Sequence, residues 1–227
     1  MPKPKPIHKS KTKAKALLFD LDGTLLNTLV SLGNCFNRVL IEEGLPSHPI
    51  EAYRYFIGDG ARQCVVRCLP EKFRNEVTID RVLARQQADY QNNWQRDVSI
   101  YEGIEPLLEQ LKARRIPVAV LSNKDHEFVQ RCVDHFFPAN TFYAAQGYSQ
   151  SVAHKPDPTG ALQLVRLLGL NTAEVALLGD TAVDIETASA AELIGVGALW
   201  GFRDRQELTT AGADYVIDAP SDILSLF

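Results

Sequence analysis

At 227 residues the chain suits one domain with an insertion or two small domains, and its 45% hydrophobic and 23% charged composition is ordinary for a globular protein with a sizeable core. No apolar run reaches the roughly 20 residues a membrane helix needs, and the charged N-terminus has no apolar segment behind it, so neither a membrane span nor a secretory signal is expected. The net charge of -4 is uneven: Met1 to Lys15 carries six lysines and no acid, so the remainder sums to -10, and an acidic body argues against nucleic acid as the main ligand.

Taken in chain order, residues 1–14, with the run Pro2-Lys3-Pro4-Lys5-Pro6, read as a basic, solvated, disordered tail. Lys15 to Leu21 is a short apolar run, suited to a strand buried on both faces. It runs into Asp20-Leu21-Asp22-Gly23-Thr24-Leu25. From about Asn27 to Asp97 the pattern turns helical. Leu32, Cys35, Phe36, Val39 and Leu40 share one helix face, and Ile79, Val82, Leu83, Tyr90 and Trp94 share another. No strand-like run interrupts them. This predicts a helical cap over 27–98, inserted into a core built from 15–26 and 99–227. Cys35, Cys64, Cys68 and Cys132 lack the spacing of a zinc site and read as structural thiols of a reducing, cytoplasmic protein.

Beyond the insertion, Ile104, Leu107, Leu108 and Leu111 fall at helical spacing, as do Phe128, Val129, Cys132, Val133 and Phe136. Around and after them come the strand-like runs Ile116–Leu121, Thr141–Ala145, Val175–Leu178, Ile194–Leu199 and Tyr215–Ile217. Strand-helix alternation of this kind predicts a parallel α/β sheet.

In open parallel sheets, ligands gather at the carboxyl ends of the strands. Asp20 and Asp22 fall at such an end. Strand alternation aims them to opposite faces, but Gly23 permits a sharp turn that lets both line one loop, whose amides can cradle an anion. Two acids there repel and need a cation or a shared proton. The competing reading, a turn cap and a helix cap, carries equal weight for this pair alone. The other strand ends shift the balance. Ser122 and Asn123 follow the second run and offer donors to phosphate oxygens, or else Ser122 caps a helix. Lys155 lies in the Pro-bounded loop His154-Lys155-Pro156-Asp157-Pro158. Gly179-Asp180, with Asp184 four residues on, suggests a hard-cation site of oxygen ligands, against a competing role in capping. Polar groups at four separate strand ends are hard to attribute to capping alone.

These motifs, Asp20-Leu21-Asp22-Gly23-Thr24-Leu25, Ser122-Asn123, Lys155-Pro156 and Gly179-Asp180 with Asp184, resemble in order the four motifs of the haloacid dehalogenase (HAD) superfamily. The resemblance spans about Lys15 to Phe227 and implies a Rossmann-like parallel-sheet core with an inserted α-helical cap. Softer likenesses, Ile57-Gly58-Asp59-Gly60-Ala61-Arg62, Tyr101-Glu102-Gly103-Ile104 and Leu199-Trp200-Gly201-Phe202, point to the phosphoglycolate phosphatase-like branch. Where many relatives place an acid after the first motif, this chain has Asn27-Thr28.

The resemblance implies a phosphatase in which Asp20 is the nucleophile and Asp22 the general acid and base. It implies Mg2+ held by Asp20, the Asp22 carbonyl and Asp180, with Asp184 ordering its waters. Gly23, Thr24, Ser122, Asn123 and Lys155 are then the phosphate-binding set. Dehalogenases of the superfamily lack the second acid, so Asp22 favours phosphoryl transfer. A sugar-phosphate mutase or a pyrophosphatase uses the same motifs, and a non-catalytic binding protein is the alternative of another class. Gly58, Gly60 and Arg62 of the cap are the candidate specificity residues, with Arg62 either pairing with a substrate carboxylate or simply solvated. The expected partner is a small phosphorylated metabolite, with no nucleic acid and no membrane, and the chain is expected to be a monomer or a homodimer.

Overall fold

The structure is a computed structural model that describes residues 13–227. The basic tail expected over 1–14 therefore lies, up to residue 12, outside the described residues. Its boundary needs correcting: Ala14 is buried, and its amide donates to the Leu226 carbonyl, because the chain is already joining the core there.

In chain order the elements are β1 (Ala16–Phe19), β2 (Leu26–Asn27), α1 (Leu29–Glu42), α2 (Tyr53–Phe56), α3 (Ala61–Cys68), α4 (Glu76–Asn93) and β3 (Ser99–Ile100). There follow α5 (Ile104–Ala113), β4 (Val118–Asp125), α6 (His126–Phe136), β5 (Ala144–Tyr148), α7 (Thr159–Leu168), β6 (Val175–Gly179), α8 (Ala182–Ala190), β7 (Ile194–Ala198), α9 (Arg205–Thr210) and β8 (Tyr215–Ile217). Six strands form one parallel sheet in the order β5-β4-β1-β6-β7-β8, an α/β Rossmann-like architecture.

The central strands are apolar on both faces because helices cover both. Leu17 and Phe19 of β1, Val118 and Val120 of β4, and Ala176 and Leu178 of β6 join Leu107 and Leu111 of α5 in one cluster. Ala16, Leu18, Ala119, Leu121, Val175 and Leu177 face the other way, against Leu164 and Val165 of α7 and Ala188 of α8. Each fully buried large apolar side chain contributes about 1.5–3 kcal/mol, so this two-sided core anchors the loops at the strand ends.

The helices between β2 and β3 carry their own apolar cluster, in which Phe36, Val39, Tyr53, Val65, Ile79 and Val82 are buried. Their chain leaves and re-enters the core through an antiparallel ribbon, Leu26 opposite Ile100 and Asn27 opposite Ser99. Two-residue strands leave no periodic trace, so the ribbon is not visible in the sequence. Phe128 of α6 and Phe202 pack into the same cluster and tie it to the core. All four cysteines are buried free thiols. No helix among the described residues is long and apolar enough to cross a membrane.

Two strand expectations shift. The strand expected over Ile116–Leu121 runs on through Ser122 and Asn123 to Asp125, which occupies the N-cap of α6, so Ser122 caps no helix. The strand expected from Thr141 begins at Ala144 instead, because Pro138 to Thr141 forms a turn in which Thr141 donates back to the Pro138 carbonyl and Asn140 has φ 63°.

Candidate active site

The first motif extends β1. Asp20 donates its amide to the Leu178 carbonyl, continuing the parallel ladder, and the chain then curls so that Leu25 and Leu26 both donate to the Leu21 carbonyl. Gly23 makes that curl possible at φ 89°. Its missing side chain matters twice, since a Cβ there would overlap the Asp180 carboxylate. A Cβ at Gly179 would strike Asp184, and one at Gly201 would strike Asp180 and the Gly23 carbonyl. Three glycines thus clear the space in which two buried carboxylates lie.

Asp20, Asp180 and Asp184 converge, each offering one oxygen within 4.8 Å of the others, and all three are buried. Asp180 accepts from the Thr24 hydroxyl (3.1 Å) and from the Phe202 amide (2.7 Å). Asp184 accepts from the amide and hydroxyl of Thr181 (3.1 and 2.8 Å) and from Lys155 Nζ (2.6 Å). The helix-cap role and the site role therefore coexist in Asp184. Lys155, its side chain 3% exposed, also lies 2.8 Å from Asp20 Oδ1. That contact is an ion pair without hydrogen-bond alignment, and it leaves Asp20 Oδ1 a buried oxygen with no hydrogen bond.

The charges do not balance. Three carboxylates face one ammonium, and neighbouring like charges at about 4 Å repel by roughly 4 kcal/mol each at an effective dielectric near 20. Burial, reinforced by Asp184 and Asp22 and opposed by Lys155, pushes Asp20 up to about 7. Burial and the charges of Asp184 and Asp20 raise Asp180 well above the usual carboxylate range, against the Phe202 and Thr24 hydrogen bonds. Burial pulls Lys155 down, but Asp184 and Asp20 outweigh it and hold the ammonium charged. An all-oxygen, over-acidic, buried set of this kind fits a hard divalent cation.

Beside this cluster opens a cavity of about 80 Å³, several times what one water needs. Asp20, Asp22, Ser122 and Asn123 line its core side, and Gly58 and Gly60 line its cap side. The Ser122 hydroxyl accepts a backbone bond from Lys124 (3.3 Å) and keeps its own hydrogen to donate. The side-chain amide of Asn123 is already committed: it donates to the carbonyls of Gly58 (2.9 Å) and Lys155 (3.1 Å) and accepts from the Lys155 amide (2.6 Å). It fastens the cap turn and the lysine loop to β4. The Thr24 side chain serves Asp180, as described, so its hydroxyl is not directed at a ligand.

Arg62 requires a correction. It lies on the outer face of α3, half exposed, paired with Glu76 and with Asp80 (2.6 Å), and it does not line the cavity. Helical periodicity decides this: Gly60 ends the turn as the N-cap of α3, Cys64 faces inward, and residue 62 faces away.

Sequence reasoning missed two residues. Lys124 places its ammonium 2.7 and 2.9 Å from the two oxygens of Asp22, with its side chain 6% exposed. Tyr90, which reads only as an apolar helix position, brings its ring within 5.2 Å of that ammonium. The signal for Lys124 was its place directly after Ser122-Asn123. The loop Trp200-Gly201-Phe202, noted above without a role, supplies the Phe202 amide to Asp180 and a Trp200 Nε1 bond to the Thr24 carbonyl (3.0 Å).

Comparison with known proteins places this geometry. A family model described as haloacid dehalogenase-like hydrolase matches residues 17–198. A phosphoglycolate phosphatase of Pseudomonas putida is 28% identical over 212 residues, which cover 91% of this chain and 77% of that protein. One from Haemophilus influenzae is 30% identical over 221 residues, covering 95% of this chain and 99% of that protein. A crystal structure from Lactobacillus delbrueckii subsp. bulgaricus superimposes with a TM-score of 0.90 at 27% identity, covering 95% of this chain and 99% of that one.

Proposed function

Because the chain belongs to the haloacid dehalogenase-like hydrolase family, we propose that it is a Mg2+-dependent phosphatase of small phosphate monoesters, with a preference like that of the phosphoglycolate phosphatases it resembles. One observation carries the reading: Asp20 ends the central strand at the cavity, buried against Asp180, Asp184 and Lys155, with Asp22 on the same loop.

In this reading Asp20 attacks phosphorus, the P–O bond to the leaving group breaks, and an aspartyl-phosphate forms. Asp22 gives its proton to the leaving oxygen and then takes one from the water that hydrolyses the intermediate. Nucleophilic attack needs Asp20 ionised, which its buried setting opposes and Lys155 favours. Asp20, the Asp22 carbonyl and Asp180 would hold Mg2+, with Asp184 ordering its waters, and the ion would supply the positive charge that an anion attacking a phosphate dianion requires. Lys155 steadies Asp20 and Asp184, while Ser122 donates to a phosphate oxygen. Asn123 contributes by holding the Lys155 loop and the Gly58 turn in place.

The test is phosphate release from 2-phosphoglycolate and a panel of esters, with glucose 1-phosphate and pyrophosphate included. Release is expected with Mg2+, lost in EDTA and lost in Asp20→Asn, and trapping by beryllium fluoride is expected to require Asp20. A purified, folded protein that releases phosphate from no member of the panel overturns the reading.

A further inference from the structure

Gly201, Phe202 and Arg203 follow β7 and lie between the acidic cluster and the cap. The Gly201 carbonyl accepts from Arg54 Nη1 of α2 at 2.7 Å. Phe202 faces both ways: its amide donates to Asp180 Oδ2 at 2.7 Å, while its ring is buried in the cap's apolar cluster. Arg203 donates from Nη2 to the Ile57 carbonyl at 3.1 Å, and its guanidinium lies 5.4 Å from the Tyr55 ring. Two arginines, one from each side, thus fasten this segment to the cap. Of these residues only Ile57 lines the cavity.

The same segment governs Asp180. With Phe202 on Oδ2, the other oxygen accepts from the Thr24 hydroxyl, and the Thr24 carbonyl accepts from Trp200 Nε1. Gly201 packs so closely that a Cβ there would lie 2.3 Å from that of Asp180. A second route reaches the N-terminus of α8. Arg203 Nε pairs with Glu207 Oε2 at 3.2 Å, and Glu207 Oε1 accepts from the Ala182 amide, also at 3.2 Å. Lifting the cap breaks the bonds at Ile57 and Gly201 and withdraws the Phe202 ring, so the amide that holds Asp180 moves with it. Outer hydrogen bonds of this kind orient a metal-binding carboxylate, and losing one weakens metal binding by about 10- to 100-fold.

We propose that Trp200–Arg203 is a relay that couples seating of the cap to cation binding at Asp20, Asp180 and Asp184, with Arg54 and Arg203 as its positioning residues. The coupling is reciprocal: a cation that fixes Asp180 holds the cap down, and a seated cap raises affinity for the cation by the same factor. This rests on the Mg2+ site of the phosphatase reading above and adds when that site is complete. The ion is held weakly while the cap is lifted and firmly once it is seated.

The experiment titrates the full chain with Mg2+ by calorimetry, without ester, and follows hydrogen exchange over residues 53–64 with and without the ion. In wild type, Mg2+ is expected to slow exchange across that cap segment. Arg203→Met is expected to abolish the slowing and to raise the Mg2+ dissociation constant by about 5- to 20-fold, and Arg54→Met to raise it by about 3- to 10-fold. Removing a positive charge near three carboxylates would by itself tighten Mg2+ binding, so the expected weakening is opposite in sign to a charge effect. Arg54 has a side chain 38% exposed, so its variant remains informative if Arg203→Met folds poorly. Mg2+ binding to wild type without slower exchange at 53–64, or both variants binding Mg2+ as tightly as wild type, overturns the relay and leaves the Mg2+ site standing. Wild type that binds no Mg2+ overturns both.

Discussion

Metal removal combined with a change of pH gives the sharpest test of the buried acidic cluster. Without a cation, Asp20 is pushed from its ordinary 3.8 up to about 7, by burial first and then by Asp184 and Asp22. Between those values the unfolded chain has released the proton while the folded chain keeps it, so stability falls as pH rises. The stabilisation is fully present below about pH 4 and is gone once pH passes about 7. At about 1.4 kcal/mol per pH unit, the rise corresponds to roughly 4 kcal/mol, or roughly 8–16 °C in melting temperature for a chain of this size. The assay is thermal or urea unfolding in EDTA from pH 4.5 to 8, for wild type and for Asp20→Asn, which keeps the shape and removes the charge. Wild type is expected to lose stability relative to Asp20→Asn across that range. Mg2+ at a hundred times its dissociation constant is expected to restore about 2.7 kcal/mol at pH 7.5, and much less at pH 5. Parallel pH profiles for the two proteins in EDTA would refute the argument that like charge, confined by burial, dominates this site.

Two further changes separate the site from its surroundings. Gly201→Ala drives a Cβ into Asp180 and the Gly23 carbonyl, a backbone contact that no rotamer relieves. It is expected to cost about 1–3 kcal/mol and to raise the Mg2+ concentration needed for half-maximal activity; an unchanged melting temperature and metal requirement would show that the two loops yield freely. Arg62→Ala removes pairs with Glu76 and Asp80 on the outer face of α3. Ester KM values and melting temperature are expected to stay at wild type, and a several-fold rise in KM would mean that Arg62 turns inward when substrate binds.

Much of the architecture was written in local pattern. The apolar run Lys15–Leu21 reads as a strand covered on both sides, Val175–Leu178 reads as a further strand, and the spacing of Leu107 and Leu111 reads as an amphipathic helix. Chain order then put Asp20, Ser122, Lys155 and Asp180 at strand ends, because in a parallel sheet the carboxyl ends all share one edge. Side-chain direction was not local. Asn123 reads as a ligand donor until its amide is found bonded to Gly58 and Lys155, and Arg62 reads as a cap ligand until α3 turns it outward. Lys124 looks like any solvated lysine until β4 continues past Leu121 to Asp125, an extension that carries its ammonium to Asp22.

The sequence by itself determined the sheet, the helical insertion and the strand ends at which acids and donors gather, because hydrophobic period and chain order are local properties. Tertiary structure alone decided which of those groups meet. The pairing of Asp20 with Lys155, the glycine-walled space around Asp180 and the Lys124 ammonium between Asp22 and the Tyr90 ring all depend on distances between segments far apart in the chain. No periodicity records such distances, since they follow from how the two-sided core and the cap pack against each other.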